Sequence, residues 1–334
     1  MISLGPVVQA HLPQQTRFFF GLNYSAGESE AADYGTAFYP SQNFIQNILL
    51  ARPTPTLWPM NTTSPPHIAF IGGGNMASAI IGGLIRQGMT ADQFTVVEPF
   101  GETAAKLKTA FGISALPAAE PALAQADLVV WAVKPQVFAE AAAPVSPHTG
   151  AALHLSVAAG IRTDSIRRWL GNERVVRSMP NTPALVGQGI TGLFPCPAVS
   201  VNDRRLVEQV ICTTGQYVWV ENEAQLDAVT ALSGSGPAYV FYFLEAMTEA
   251  GTGMGLTTEQ SRQLAVATFS GAAALAGASS EPLEVLRQRV TSKGGTTHAA
   301  ITAMEMAQIK PAFVQAMQAA EQRARELGDE FGKA

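Results

Sequence analysis

Ile68-Ala69-Phe70-Ile71-Gly72-Gly73-Gly74-Asn75-Met76-Ala77 is the stretch that decides how this chain folds. The apolar run predicts a buried strand, the glycines a tight turn, and the apolar segment 78–85 beyond them a helix. In that setting Gly72, Gly74 and Ala77 form the G-x-G-x-x-A pattern of a turn that holds the diphosphate of a dinucleotide. Gly72 permits the sharp turn, Gly74 lets backbone approach phosphate oxygens, and Ala77 lets helix and strand pack closely. Asn75 and Met76 open the helix, whose unpaired N–H groups and positive dipole end suit an anion. The plain alternative is a glycine-rich strand–helix turn with no ligand.

Outward from this turn, short β-branched runs alternate with helix-like segments. Strands are expected at 68–71, 95–98, 128–133, 152–157, 175–178, 191–194 and 217–220, and helices at 76–87, 103–111 and 163–170. That alternation predicts a mostly parallel, doubly wound sheet with helices on both faces and ligands at the carboxyl ends of the strands. From Glu223 the pattern becomes helical only. Pro237 suits a first helical turn, and 239–250 carries apolar residues at helical spacing before Gly251. Thr257 with Gln260 resembles a capping box, and Pro311 is expected to start a last helix that stops at Gly328. The stretch 262–279 is apolar or small almost all round, so burial on every side is expected. A domain of about a hundred residues hardly encloses such a helix alone. A second copy of the chain is therefore expected to cover it, giving an obligate homodimer through the helical domain.

Composition bounds the function. The chain has 334 residues, 47% of them apolar, with a net charge of −5, enough for two domains and a substantial core. No basic block interleaves with aromatics, which argues against nucleic acid or an anionic membrane as partner. The longest uncharged apolar run, 263–280, is broken by Thr268, Ser270, Gly271 and Gly277 and reads as a buried helix rather than a membrane span. Cys196 and Cys212 lack metal-ligand neighbours and build no disulfide framework, which points to a reducing cytoplasm. Metalloprotease and nucleophile-elbow motifs are absent. Residues 1–65 are unlike the rest, with Phe18-Phe19-Phe20 and a proline-rich end. They are expected to be upstream sequence translated by mistake, with a native start at Met60, or else a genuine disordered extension. The expected organisation is thus 1–65 extension, 66–222 dinucleotide-binding domain, and 223–330 helical substrate and dimerisation domain.

Other clusters carry chemistry. Ala132-Val133-Lys134-Pro135-Gln136 ends the third strand, where Lys134 is placed to donate to cofactor oxygens or else caps the strand at the surface. Glu98 ends the second strand, at a spacing suited to an adenosine ribose; a carboxylate there accepts from both ribose hydroxyls of NAD and repels the 2′-phosphate of NADP. That leans to NADH, unless Glu98 faces solvent. Ser178-Met179-Pro180-Asn181-Thr182-Pro183 holds Asn181 and Thr182 rigidly at the sheet's carboxyl edge, or forms a plain domain-boundary loop. Ala231-Leu232-Ser233-Gly234-Ser235-Gly236-Pro237 is a further glycine-rich bend. In Val290-Thr291-Ser292-Lys293-Gly294-Gly295-Thr296-Thr297 the paired glycines let N–H groups converge before a helix at 298–306, and Ser292, Thr296 and Thr297 add hydroxyls. This arrangement can trap a carboxylate without an arginine. Its bland counterpart is a glycine loop with a threonine N-cap.

Taken together, and in this order, these motifs resemble the pyrroline-5-carboxylate reductase family. The residues that carry the resemblance are 70–77, 132–136, Ala158-Ala159-Gly160-Ile161, 179–183, 232–239 and 290–297. It spans nearly everything from His67 to Gly328. The resemblance implies a Rossmann-like domain that binds NADPH or NADH, followed by an all-α dimerisation domain whose helices interlock with a second subunit. Dimers of the family often assemble into decamers. It also implies a substrate site between the cofactor domain and the helical layer, where hydride reaches the C=N carbon of 1-pyrroline-5-carboxylate to give L-proline. Carried over residue by residue, Ser292 and Thr297 are the catalytic candidates, Thr297 lying near the ring nitrogen. Ser292, Gly294, Gly295, Thr296 and Thr297 bind substrate, and Glu281 corresponds to a family glutamate near the imine. Gly72, Gly74, Asn75, Met76, Ala77, Glu98, Ala132, Val133, Lys134, Pro135 and Asn181 bind the cofactor, and no metal is implied. Lys293 departs from the pattern, because many relatives carry proline there. A β-hydroxyacid dehydrogenase is disfavoured by the scarcity of lysines in the helical domain, and a dinucleotide-binding regulator by the intact glycine loop.

Overall fold

The computed structural model describes residues 65–332, so the expectations for residues 1–64, including a start at Met60, lie outside the described residues. The first strand, β1 (Ile68–Ile71), lies between β2 (Phe94–Val97) and β3 (Leu128–Trp131), followed across the sheet by β4 (Leu153–Ser156), β5 (Val175–Met179), β6 (Gly189–Pro195) and β7 (Gly215–Trp219). The order is β2-β1-β3-β4-β5-β6-β7. Strands β1 to β5 pair in parallel, β6 runs antiparallel to β5, and β7 is parallel to β6. A strand covered on both faces reads as a continuous apolar run. Accordingly every residue of β1 and β3 is buried.

Helices α1 (Asn75–Arg86), α2 (Gly101–Phe111), α3 (Phe138–Val145), α4 (Thr163–Leu170) and α5 (Val201–Cys212) connect the strands. Trp131 stacks on Phe138 at 4.7 Å between ring centroids, and its indole N–H donates to His154 Nδ1 at 3.0 Å. His154 is 1% exposed, and burial holds its imidazole pKa down at about 4, so it is neutral in the core at physiological pH.

Beyond β7 the chain is helical. It comprises α6 (Gln225–Val229), a π-turn at Thr230–Gly234, α7 (Gly236–Gly253), α8 (Thr258–Ala278), α9 (Leu283–Arg289), α10 (Thr296–Met306) and α11 (Ile309–Phe331). The capping box foreseen for α8 is present, with Thr257 and Gln260 satisfying each other's end of the helix. The last helix does not stop at Gly328 as expected, and it begins before Pro311. Glycine is needed there for another reason. A Cβ on residue 328 would lie 3.0 Å from Arg162 Nε, so the missing side chain admits the Arg162 guanidinium against the helix. Arg162 also pairs with Asp329 at 2.9 Å.

A buried ionic cluster joins the two parts. Arg177 of β5, 3% exposed, meets Glu223 at 2.9 Å and Asp227 at 3.7 Å, and Glu223 accepts from both the backbone N–H and the hydroxyl of Thr163 at 2.7 Å. By contrast, α8 buries only Ser261 and Ala265 within the single chain. Its Leu264 and Leu275 are 56% and 43% exposed, the signature of a helix that lacks its cover. Among the described residues, no helix is long and apolar enough to cross a membrane.

Candidate active site

In an open parallel sheet, ligands bind beyond the carboxyl ends of the strands, where the strand order reverses. Here that point lies between β1 and β3, and both of its loops were singled out in the sequence. Gly72 leaves β1 at φ +92°, and a Cβ there would lie 2.7 Å from the carbonyl oxygen of Ala132 and 3.1 Å from Val133 Cγ1. The glycine turn and the Ala132–Pro135 loop are therefore in contact, and residue 72 must be glycine for them to be so. Lys134 follows exposed, at the head of the short turn Pro135–Val137, and makes no ion pair among the described residues.

Gly74 and Asn75 are exposed at the start of α1, Met76 is half-buried, and Ala77 is fully buried under the helix. Nothing lies within 4 Å of a Cβ built on Gly74, no acidic residue occupies the first turn, and no side chain caps the helix. Those open N–H groups fit a diphosphate. Glu98 follows β2 with one oxygen accepting from Gly73 N–H at 2.9 Å and the other from Phe100 N–H at 2.8 Å. It is buried, not solvent-facing, and it fixes the glycine turn.

Asn181, two residues beyond β5, has both ends of its amide engaged. It donates to the Ser233 carbonyl at 3.2 Å and accepts from Ile190 N–H at 3.0 Å. Its evident task is to stitch the turn after β5 to the π-turn of the helical part. Gly234 packs on Met179 there, since a Cβ would lie 2.5 Å from Met179 Cε. This π-turn is where sequence reading saw only a glycine bend; such turns often sit at functional sites. The Arg177–Glu223–Asp227 cluster was also not foreseen, because residues some fifty positions apart leave no local pattern.

The second bend opens α10. Gly294 has φ +77°, and Gly295 N–H donates to the Ser292 carbonyl at 3.0 Å, closing the turn. The Gly295 amide, expected among the trapping donors, is thereby used within the protein. The amides of Thr296, Thr297 and His298, in the first turn of α10, remain as donors. Ser292, Lys293, Thr296 and Thr297 are exposed, and neither α9 nor α10 buries a residue within the chain. Glu281 precedes α9 and pairs with Arg289. Among the described residues no cluster of acidic, histidine or cysteine side chains could hold a metal.

Comparison with known proteins agrees with this fold. Residues 223–327 match the family model for pyrroline-5-carboxylate reductase dimerisation, and residues 67–160 match that for NADP oxidoreductase, coenzyme F420-dependent. The pyrroline-5-carboxylate reductase of Pseudomonas aeruginosa is 44% identical over 273 residues, covering 81% of this chain and 100% of the relative. That of Haemophilus influenzae is 41% identical, covering 78% and 97%. The solved structure of the Coxiella burnetii enzyme superposes with a TM-score of 0.74 at 37% identity, over 79% of this chain and 99% of the other. The Plasmodium falciparum enzyme with NADP bound gives 0.71 at 26% identity, over 80% and 100%. A glycine turn at the switch point of a doubly wound sheet, joined to a helical dimerisation domain, defines a nicotinamide-dependent oxidoreductase that works as a homodimer. The hydroxyacid and regulator alternatives fall away at this level of identity. The chain belongs to the pyrroline-5-carboxylate reductase family.

Proposed function

We propose that the turn at Gly72–Ala77 holds NAD(P)H and that the loop at 292–297 holds the carboxylate and ring nitrogen of the substrate. As a member of its family, the chain reduces 1-pyrroline-5-carboxylate to L-proline with NADPH or NADH, the last step of proline biosynthesis. The observation that carries the assignment is the presence in one chain of two open helix starts, each free of a side-chain cap and each preceded by a glycine bend. One suits a diphosphate and the other a carboxylate.

A bound nicotinamide supplies the hydride. The protein's part is placement. Gly72, Gly74, Asn75, Met76 and Ala77 hold the diphosphate. Ala132, Val133, Lys134 and Pro135 border it across the switch point, with Asn181 bracing the adjoining turn and Glu98 at the adenosine end. Ser292, the Gly294 amide and the Thr296 hydroxyl, with the open amides of Thr296 and Thr297, orient the substrate carboxylate, while Gly295 closes the turn that presents them. The Thr297 hydroxyl hydrogen-bonds at the ring nitrogen, and Glu281 lies at the edge of the same site, held by Arg289. A protonated cyclic imine is already electrophilic, so no strong general acid is demanded. Orientation of two bound molecules can lower a barrier by about 7–11 kcal/mol. Because α9 and α10 bury nothing within one chain, the partner's helical layer completes the site. The free thiols Cys196 and Cys212 support a cytoplasmic setting, and assembly of dimers into a decamer follows family habit.

Thr297→Ala tests the assignment. Turnover should fall by at least about tenfold, as for loss of one hydrogen bond at the reacting centre, while the dinucleotide dissociation constant stays unchanged. Unchanged turnover would remove Thr297 from the reaction.

A further inference from the structure

We propose that the adenosine end of the cofactor site selects NADH over NADPH. This deepens the cofactor assignment above and rests on it. Glu98 is held between the glycine turn and the β2–α2 turn by two backbone donors, Gly73 N–H at 2.9 Å and Phe100 N–H at 2.8 Å. Hydrogen bonds of this kind fix the orientation of the carboxylate. Each oxygen keeps a further lone pair, so the group can still accept from the two hydroxyls of an unmodified ribose.

The two stretches that flank Glu98 offer no cation to a phosphate. The segment beside β2 is pinned to it, with Leu116 N–H donating to the Val96 carbonyl at 2.7 Å and Glu98 N–H to the Leu116 carbonyl at 2.8 Å. It continues as Pro117-Ala118-Ala119-Glu120. On the other side, β2 runs into Pro99-Phe100-Gly101-Glu102. Neither 99–105 nor 113–119 contains a lysine or arginine; the first contains Glu102 and the second is followed by Glu120. The next cation along α2, Lys106, pairs with Glu102 at 2.7 Å. A 2′-phosphate would bring about −1.5 to −2 charges against a fixed carboxylate with no compensating cation in either flanking stretch. Phe100, 72% exposed, emerges from the same turn as Glu98 and offers an adenine an apolar face where a phosphate would want a guanidinium.

The test is fluorescence titration of the intact dimer with NADH and with NADPH, without substrate. NADH should bind on the order of tenfold or more tightly, as expected when like charges are juxtaposed. Phe100→Arg leaves the Glu98 contacts to backbone intact and should tighten NADPH by about tenfold with little change for NADH. Glu98→Gln should narrow the ratio by weakening NADH and relieving NADPH. Equal or tighter NADPH binding by the unmodified protein overturns the selectivity while leaving the cofactor site standing. Failure of both dinucleotides to bind overturns the site itself, and the selectivity with it.

Discussion

Gly74→Ala separates a glycine kept for the ligand from one kept for the fold. Residue 74 has φ −67° and ψ −168°, a conformation alanine adopts without strain, and nothing lies within 4 Å of the Cβ it would gain. Alanine is a poorer helix N-cap than glycine, whereas loss of glycine's freedom in the unfolded chain stabilises by about 0.4–1 kcal/mol. The two nearly cancel, so folding free energy should change by less than about 0.5 kcal/mol. The new methyl stands where a diphosphate must approach the α1 amides. Loss of one N–H bond to a charged oxygen costs about 1.5–3 kcal/mol, so NADH should bind about ten- to a hundredfold more weakly. Gly72→Ala gives the opposite outcome. Its Cβ would sit 2.7 Å from the Ala132 carbonyl oxygen at φ +92°, and stability should fall by about 3 kcal/mol. Urea unfolding and fluorescence titration of both variants measure the two quantities. A Gly74→Ala protein of normal stability and normal cofactor affinity would refute the placement of the diphosphate.

Further outcomes follow from the same physics. Arg177→Met strands Glu223 and Asp227 in a largely buried cluster, and unfolding free energy should drop by about 3–5 kcal/mol, read by urea denaturation; a loss below about 1 kcal/mol would show that the cluster is well hydrated. His154 has its pKa lowered from 6.5 to about 4 by burial, so the unfolded chain binds the proton more readily. Its contribution is intact above pH 6.5 and declines as pH falls toward 4, by up to about 3 kcal/mol. His154→Gln should flatten the stability–pH curve over that window, and an unchanged slope would exclude this source. Leu264→Asp places a charge on an α8 face that is bare in the single chain, and sedimentation should show dimer giving way to monomer.

Periodicity and turn chemistry were legible wherever neighbours along the chain decide the conformation. β1 falls at 68–71 as read, and α4 at Thr163–Leu170, because an apolar run and a helical stripe announce themselves locally. The Thr257–Gln260 capping box is a pattern of residues three apart, and it forms. β6 was read as 191–194 but spans Gly189–Pro195, since pairing with β5 and β7 recruits a glycine and a proline of no strand preference. α3 and α5 lie among the connections but were not separately foreseen. Gly328 misled because glycine near a helix end usually stops it, whereas here it admits Arg162 from more than a hundred and sixty residues away.

The sequence by itself determined the class of fold and the two glycine bends, because these depend on backbone freedom and short-range spacing. Only the tertiary structure decided that Glu98 grips Gly73 and Phe100, and that Asn181 is tied to Ser233. It alone shows that Gly295 gives its amide to its own turn and that Arg177 joins sheet to helices. Each polar group chooses among several partners of similar strength, and burial selects the one that leaves no donor or charge stranded. That selection is made by the packing of distant segments, which no local pattern encodes.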